Sequence, residues 1–358
     1  PDLLDQVVKI ADMSKQAAGE PSVHIITLSS PEAFNRAAYN ALTGFTKSVQ
    51  KDLPYLRFTY HHVDSLAPDE NLIRRVVAEP TLGGHILPDG RIEQGGLVRH
   101  LDFGCNLEQL ADLLGDDDVV LVTGGARGIA ASVVRRLLRL VGSKFVLIGR
   151  KPNKESWIDV EGPGRIEYLA ADLCDAHAVK SLGLGKRDIS LVIHAAGVVI
   201  SRPIREILRS ELDQTLGAKV LGLHRILDEL DLSRVRGVVN FSSIAGYIGG
   251  DGHPDYGAGN AYLTGLAAES LPVLSIGWSA WGEVGMAVRE GTKQFLEMAG
   301  VEPIPLQQAV DTFCALLAGF LKQIVFYCKQ FLAFFSHRFQ KVPVSQIGHK
   351  DIQALCGI

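Results

Sequence analysis

Short apolar runs bounded by polar residues recur along the chain, and stretches with apolar residues at steps of three and four lie between them. The first run, His24-Ile25-Ile26-Thr27-Leu28, predicts a strand. Pro31 then opens a helical pattern in which Phe34, Ala38, Leu42, Phe45 and Val49 make one apolar face, stopped by Asp52-Leu53-Pro54. Arg57 to Asp64 alternates as a strand does, Asn71 to Ala78 has helical spacing, and Arg91 to Leu101 reads as a hairpin or strand pair around Gly95-Gly96. Leu107 to Leu114 predicts a short helix, and Asp116-Asp117-Asp118 a solvated approach to a second unit.

That second unit begins with the bare apolar strand Val119-Val120-Leu121-Val122 and turns through glycines into the helical pattern Ile129 to Leu140. Phe145 to Ile148, Ile166 to Ala170 and Ile189 to Ile193 predict three more strands. A long helical region follows from about Ile204 to Leu230, then a strand at Val235 to Phe241, a helix beginning near Tyr256 and a strand at Val273 to Ile276. Continuous apolar strands alternating with helices imply a parallel sheet covered on both faces. The expected class is therefore α/β and doubly wound, with a smaller unit over residues 1–115, the main unit over 116–335 and a tail or linker over 336–358. Phe320 to Phe335 is broken by Lys322 and Lys329 and reads as a helix end and a buried strand rather than a membrane span.

Composition narrows the function classes. With 47% apolar and 21% charged residues the chain is ordinary globular protein, and a formal net charge of −4 argues against nucleic acid held by global charge. The five cysteines include no CxxC pair, so neither a zinc knuckle nor a disulfide framework is expected, and a reducing cytoplasm is the simpler compartment.

Two regions carry candidate chemistry. Thr123-Gly124-Gly125-Ala126-Arg127-Gly128-Ile129 lies between a bare strand and a helix, where glycines admit a pyrophosphate to the backbone and the helix offers its N-terminal N–H groups. Ala130 stands where a third glycine often stands. Arg150 and Lys151 follow the second strand; an acidic residue there would grip the ribose hydroxyls of NAD, whereas an arginine suits a 2′-phosphate, which favours NADPH. Asp172-Leu173 and His194-Ala195-Ala196-Gly197 close the next two strands, and small residues there leave room for a nucleotide. In the second region, Lys219 precedes Ser243 by twenty-four residues, Tyr256 follows it by thirteen, and Asn260 lies one helical turn after Tyr256 on the same face.

With these motifs the sequence resembles the short-chain dehydrogenase/reductase superfamily, and more closely the ketoreductase domain of type I polyketide synthases and related fatty-acid-type synthases. In the wider superfamily a lysine stands four residues after the tyrosine; here Asn260 holds that place and the lysine is Lys219, an exchange that marks the polyketide ketoreductases. The resemblance implies a Rossmann-like catalytic subdomain preceded by a truncated Rossmann-like structural one, with Ala41-Leu42-Thr43-Gly44-Phe45 to Leu53-Pro54 its central helix. Trp278 and Trp281 are similar to the family's post-strand substrate loop and are expected to divide between core and substrate wall, with Trp281 to Gly300 a lid anchored by Met286. Both stereochemical fingerprints are missing: Val199-Ile200-Ser201 replaces Leu-Asp-Asp, and Ile248 stands where one type carries Trp. The short links at Lys151 to Gly164 and from Tyr256 to Val273 suit a divergent iterative or polyunsaturated-fatty-acid-type branch.

The chemistry also follows from the residues. Reducing a ketone needs hydride on carbon and a proton on oxygen. A tyrosine near pKa 10 is a poor proton donor until a cation sits beside it, which is the part expected of Lys219, while Ser243 can donate a hydrogen bond to the carbonyl oxygen. Asn260 could position the lysine or a water relay, and His253 is expected in a loop. The implied function is NADPH-dependent reduction of a β-ketoacyl thioester on an acyl carrier protein, within a multidomain synthase. A catalytically silent reductase-like module and a free-standing reductase of small carbonyl compounds stand beside it as alternatives.

Overall fold

A computed structural model describes residues 22–30, 35–68, 70–78, 83–87, 92–93, 109–151, 165–200, 202–266, 271–285 and 302–321. Among these described residues ten strands form two sheets. The smaller has the order β1-β2-β3-β4, with β1 (Ser22–Leu28), β2 (Arg57–Val63) and β3 (Gly83–Ile86) parallel and β4 (Ile92–Glu93) antiparallel at the edge. The larger is wholly parallel in the order β10-β9-β8-β5-β6-β7, built from β5 (Val119–Thr123), β6 (Lys144–Gly149), β7 (Ile166–Ala170), β8 (Ile189–His194), β9 (Gly237–Ser243) and β10 (Val273–Trp278). This is a Rossmann-like order, and strand order reverses between β5 and β8, where such sheets open a crevice for ligands. The runs that read as continuous apolar strands are buried on both faces: Val120, Leu121, Val122, Phe145 to Ile148 and Leu191 to Ile193 are all within 1% of full burial.

Several boundaries differ from the sequence pattern. The first helix runs Arg36–Asp52 and is capped by Asn35, whose Oδ1 accepts from Ala38 N–H at 2.7 Å, so Pro31 does not start it. Its buried stripe is Ala37, Gly44, Phe45, Thr46, Ser48 and Val49, whereas Ala38 is exposed. Small and hydroxyl residues fill that stripe because a second helix, Pro254–Leu266, lies against it at close range. A Cβ on Gly44 would sit 2.6 Å from Ala261 Cβ and 2.7 Å from the Gly257 carbonyl oxygen. β4 pairs antiparallel with β3, and the hairpin expected around Gly95-Gly96 falls outside the described residues. Of the helix expected over Leu107 to Leu114, the described residues form Leu110–Leu113. The helical region expected from Ile204 begins at Arg209: Pro203 and Ile204 lie in a turn that sinks Ile204 among Phe45, Val49, Leu53, Leu56 and Phe58 of the smaller unit. Its course is interrupted by a π-helical turn at Gly217–Leu221 before continuing as Gly222–Asp228. The link at 152–164, residues 286–300 with Met286, residues 322–335 and the tail 336–358 lie outside the described residues. Among the described helices, none is long and apolar enough to cross a membrane.

The helix Arg36–Asp52 also holds the loop between β9 and the helix Pro254–Leu266. Lys47 Nζ donates to the Tyr247 carbonyl at 2.8 Å, and Lys51 Nζ donates to that of Gly249 at 3.0 Å. Ser48 Oγ accepts from Gly250 N–H at 2.9 Å. Asp52 accepts from Gly252 N–H at 2.9 Å and from Ile204 N–H at 2.8 Å. The smaller unit thus grips backbone that lies between Ser243 and Tyr256.

Candidate active site

The glycine turn leaves β5 at the reversal of strand order. Gly124 and Gly128 have φ of 69° and 57°, in the left-handed region that glycine enters without strain. A Cβ on Gly124 would lie 3.1 Å from the Ala195 and Ala196 backbone, so only glycine lets the turn pass the end of β8 this closely. Gly125 faces Val122 and Leu147 in the core, and Ala126 is buried. Arg127 and Gly128 are exposed and Ile129 is half-buried. The helix Gly128–Leu140 has thirteen residues and no side-chain cap at its N-terminus, which leaves its first N–H groups for an anion. The buried Ala130 fills the third-glycine place inside the helix.

Arg150 follows β6 and is exposed, and Asp172 is exposed beyond β7 with its Oδ1 taken by Cys174 N–H at 2.9 Å. Leu173 instead lies in the core, and its carbonyl accepts from Arg225 Nη1 at 2.7 Å. Ala195 and Ala196 are half-buried and Gly197 exposed at the end of β8. A Cβ on Gly197 would reach within 3.1 Å of Lys219 Cε, so this glycine makes way for the lysine. The exposed positive-φ turn, uncapped helix end and small residues along the strand edge fit a dinucleotide pyrophosphate and ribose.

Lys219 lies in the π-helical turn, a local widening that recurs at functional sites. It is 4% exposed, its Nζ donates to the Phe241 carbonyl at 2.9 Å, and the ammonium stands 5.7 Å from the Tyr256 ring centroid. Burial pulls it down to about 8 from the usual lysine range. Ser243 ends β9, half-buried, and its Oγ accepts from Ala245 N–H at 3.2 Å. Tyr256 stands in the first turn of Pro254–Leu266, and burial raises its phenol; hydrogen bonding with Ser243 and Asn260 opposes the rise. The expected lowering by Lys219 is therefore not the direction found: desolvation of the phenol outweighs what favours the phenolate. Asn260 is fully buried, its Nδ2 donates to the Tyr256 carbonyl at 2.8 Å, and its Oδ1 has no partner.

Two features were not read from the sequence as parts of the site. His253, in its loop, packs edge-on to Tyr256 with ring centroids 5.9 Å apart. His194 ends β8 fully buried, hydrogen-bonded to Thr123 and to the Lys219 carbonyl. A histidine closing an otherwise apolar strand was the signal for it. The two tryptophans are core rather than substrate wall: Trp281 is 1% exposed and Trp278 8%, T-shaped at 5.0 Å, with Trp278 stacked on Phe241. Phe313 of the helix over residues 306–321 stacks on Phe241 at 5.1 Å and lies with both tryptophans in one buried cluster.

Comparison with known proteins agrees with this geometry. A family model described as KR domain matches residues 118–283. The chain is 30% identical over 270 residues to a polyunsaturated fatty acid synthase polypeptide of Thraustochytrium sp., covering 57% of this chain and 10% of that protein. It is 30% identical over 272 residues to polyketide synthase GfsA of Streptomyces halstedii, covering 68% of this chain and 4% of that one. The chain thus spans a tenth or less of the length of these large multidomain relatives. Among solved structures, the first ketoreductase of the tylosin polyketide synthase superposes with a TM-score of 0.72 at 23% identity, covering 89% of this chain and 72% of that one. A ketoreductase domain from the bacillaene assembly line gives 0.69 at 22% identity, covering 87% and 79%. Residues 118–283, which carry the glycine turn, Lys219, Ser243, Tyr256 and Asn260, thus match the KR domain family, and the proteins this chain is similar to include ketoreductase domains of polyketide synthases.

Proposed function

We propose that this chain is the NADPH-dependent β-ketoacyl reductase of a larger synthase, acting on an acyl thioester carried by an acyl carrier protein. One observation carries the reading: Lys219, Ser243, Tyr256 and Asn260 converge beside an uncapped helix end at the crevice of the parallel sheet. Thr123 to Ile129, Asp172, the ends of β7 and β8, Lys219 and Tyr256 would hold the dinucleotide, with Arg150 toward the 2′-phosphate. When bound, the nicotinamide supplies the hydride.

The chain's own residues handle the oxygen. Ser243 Oγ donates a hydrogen bond to the substrate carbonyl as negative charge develops there, and Tyr256 Oη delivers the proton. Lys219, charged below about pH 8, favours the phenolate left on Tyr256 and would hydrogen-bond the ribose of a bound dinucleotide. Asn260 Oδ1 is an acceptor for a water that returns a proton to the site. Residues 1–115 would form the structural subdomain, 116–335 the catalytic one and 336–358 a tail or linker, working in the cytoplasm beside the other domains of the synthase.

The test is NADPH oxidation with a β-ketoacyl thioester mimic by the parent and by Tyr256→Phe. Turnover in the parent that falls by about 10²-fold or more in the variant supports the reading, since general acid catalysis is worth that much. Full activity of Tyr256→Phe overturns it.

A further inference from the structure

We propose that His194 is a positioning residue that ties the cofactor turn to the catalytic lysine. The proposal rests on the role given to Lys219 above. The imidazole is fully buried at the end of β8 and touches both sides of the site. Its Nε2 lies 2.9 Å from the carbonyl oxygen of Lys219, and its Nδ1 lies 2.8 Å from Thr123 Oγ1. A carbonyl only accepts, so Nε2 carries the hydrogen and Nδ1 is the acceptor of the Thr123 hydroxyl proton. Thr123 Oγ1, having given its proton, accepts from Ala196 N–H at 3.2 Å. One continuous chain of hydrogen bonds therefore runs from Ala196 through Thr123 and His194 to the backbone of Lys219.

Its two ends are the moving parts of the proposed chemistry. Thr123 immediately precedes Gly124, where the backbone enters the left-handed region and starts the cofactor turn. Lys219 stands in a π-helical turn, a local widening that recurs at functional sites. The lysine side chain is then threaded between Gly197 and Phe241: a Cβ on Gly197 would meet Cε at 3.1 Å, and Nζ reaches the Phe241 carbonyl at 2.9 Å. Only a neutral imidazole offers one donor and one acceptor on opposite edges. Burial, with the Lys219 charge nearby, holds His194 down to about 3, so it keeps that form at every pH at which the protein works. Neither ring nitrogen faces substrate, so the residue acts through Lys219.

The experiment compares the parent with His194→Phe, which keeps a ring without its hydrogen bonds, His194→Gln, which keeps a donor and an acceptor, and Thr123→Val, which removes the hydroxyl. Three readouts are taken: NADPH affinity by fluorescence, kcat and KM with a β-ketoacyl thioester mimic, and the ¹⁵N spectrum of labelled histidine, in which the His194 signals are those lost in His194→Phe. The expected result is a neutral Nε2–H tautomer from pH 5 to 9. His194→Phe and Thr123→Val then lower kcat by about tenfold or more with thioester KM little changed, as misplacement of a catalytic group does. They also move the basic limb of the pH–rate profile, and His194→Gln recovers most of the loss. A His194 that titrates near its ordinary range or carries its hydrogen on Nδ1 overturns the proposal. So does a His194→Phe that melts earlier yet keeps the parent kcat and pH profile, because the histidine is then packing alone. If the parent turns over no thioester, the reductase reading has failed. The tautomer and the NADPH affinity of Thr123→Val still decide whether the chain of hydrogen bonds links turn and lysine.

Discussion

Replacing Gly44 with alanine tests whether the smaller unit sets the position of the catalytic tyrosine. The added Cβ would lie 2.6 Å from Ala261 Cβ and 2.7 Å from the Gly257 carbonyl oxygen. Carbon atoms prefer separations of roughly 3.5–4.0 Å. The helices Arg36–Asp52 and Pro254–Leu266 must therefore part by about 1 Å. Overpacking of this kind costs about 1–3 kcal/mol, and the helix propensity of alanine over glycine returns roughly 0.5–1 kcal/mol of it. The net loss of about 1–2 kcal/mol lowers Tm by a few degrees, at roughly 2–4 °C per kcal/mol for 150–250 residues. The larger consequence is kinetic. Gly257 adjoins Tyr256, and Asn260 is one turn further along the same helix. A misplacement of about 1 Å can cost on the order of 10²-fold in rate. Calorimetry gives Tm, and NADPH oxidation with a thioester mimic gives kcat. NADPH affinity should fall less than kcat, because the glycine turn and Arg150 follow β5 and β6 and are not carried by these two helices. Gly115→Ala, whose Cβ meets nothing within 4 Å, is the control and leaves all three unchanged. A Gly44→Ala protein with a higher Tm and parental kcat refutes the reasoning.

Other expectations concern charge. Hydrogen bonds from Lys144 and Arg187 hold the Glu167 carboxyl below its usual value, so the stability it contributes is present above about pH 4.5 and is lost as pH falls through the lower folded value. Glu167→Gln should therefore melt earlier than the parent at pH 7 and converge with it in acid; parallel melting curves at all pH would contradict this. Lys219, pulled down to about 8, loses its charge in the free protein above that pH, so kcat/KM for NADPH should fall there, and Lys219→Arg should remove that basic limb while lowering the rate. Arg150→Ala should weaken NADPH binding and leave NADH binding unchanged, as measured by fluorescence titration; an equal effect on both cofactors would place Arg150 away from the 2′-phosphate.

The α/β class, the six strands of the main sheet, the glycine turn and the spacing of Lys219, Ser243, Tyr256 and Asn260 are legible in the order of residues alone. These are local or periodic signals. A strand buried on both faces must be apolar throughout, and a left-handed turn beside a strand end needs glycine. The rest arises only when the chain is folded. Ala38 lies on the apolar stripe of its own helix yet is exposed, because which stripe is buried depends on the helix across from it. Trp278 and Trp281 are core because Phe241 and Phe313, from distant segments, join them in one buried cluster. The Tyr256 phenol is raised where spacing alone suggested that it is lowered, since spacing places a cation nearby but does not state how much water is removed. His194 gained its part from Thr123 and Lys219, which lie 71 and 25 residues away. Periodicity reports which face of an element is apolar; contact, desolvation and hydrogen-bond direction exist only once distant segments are brought together.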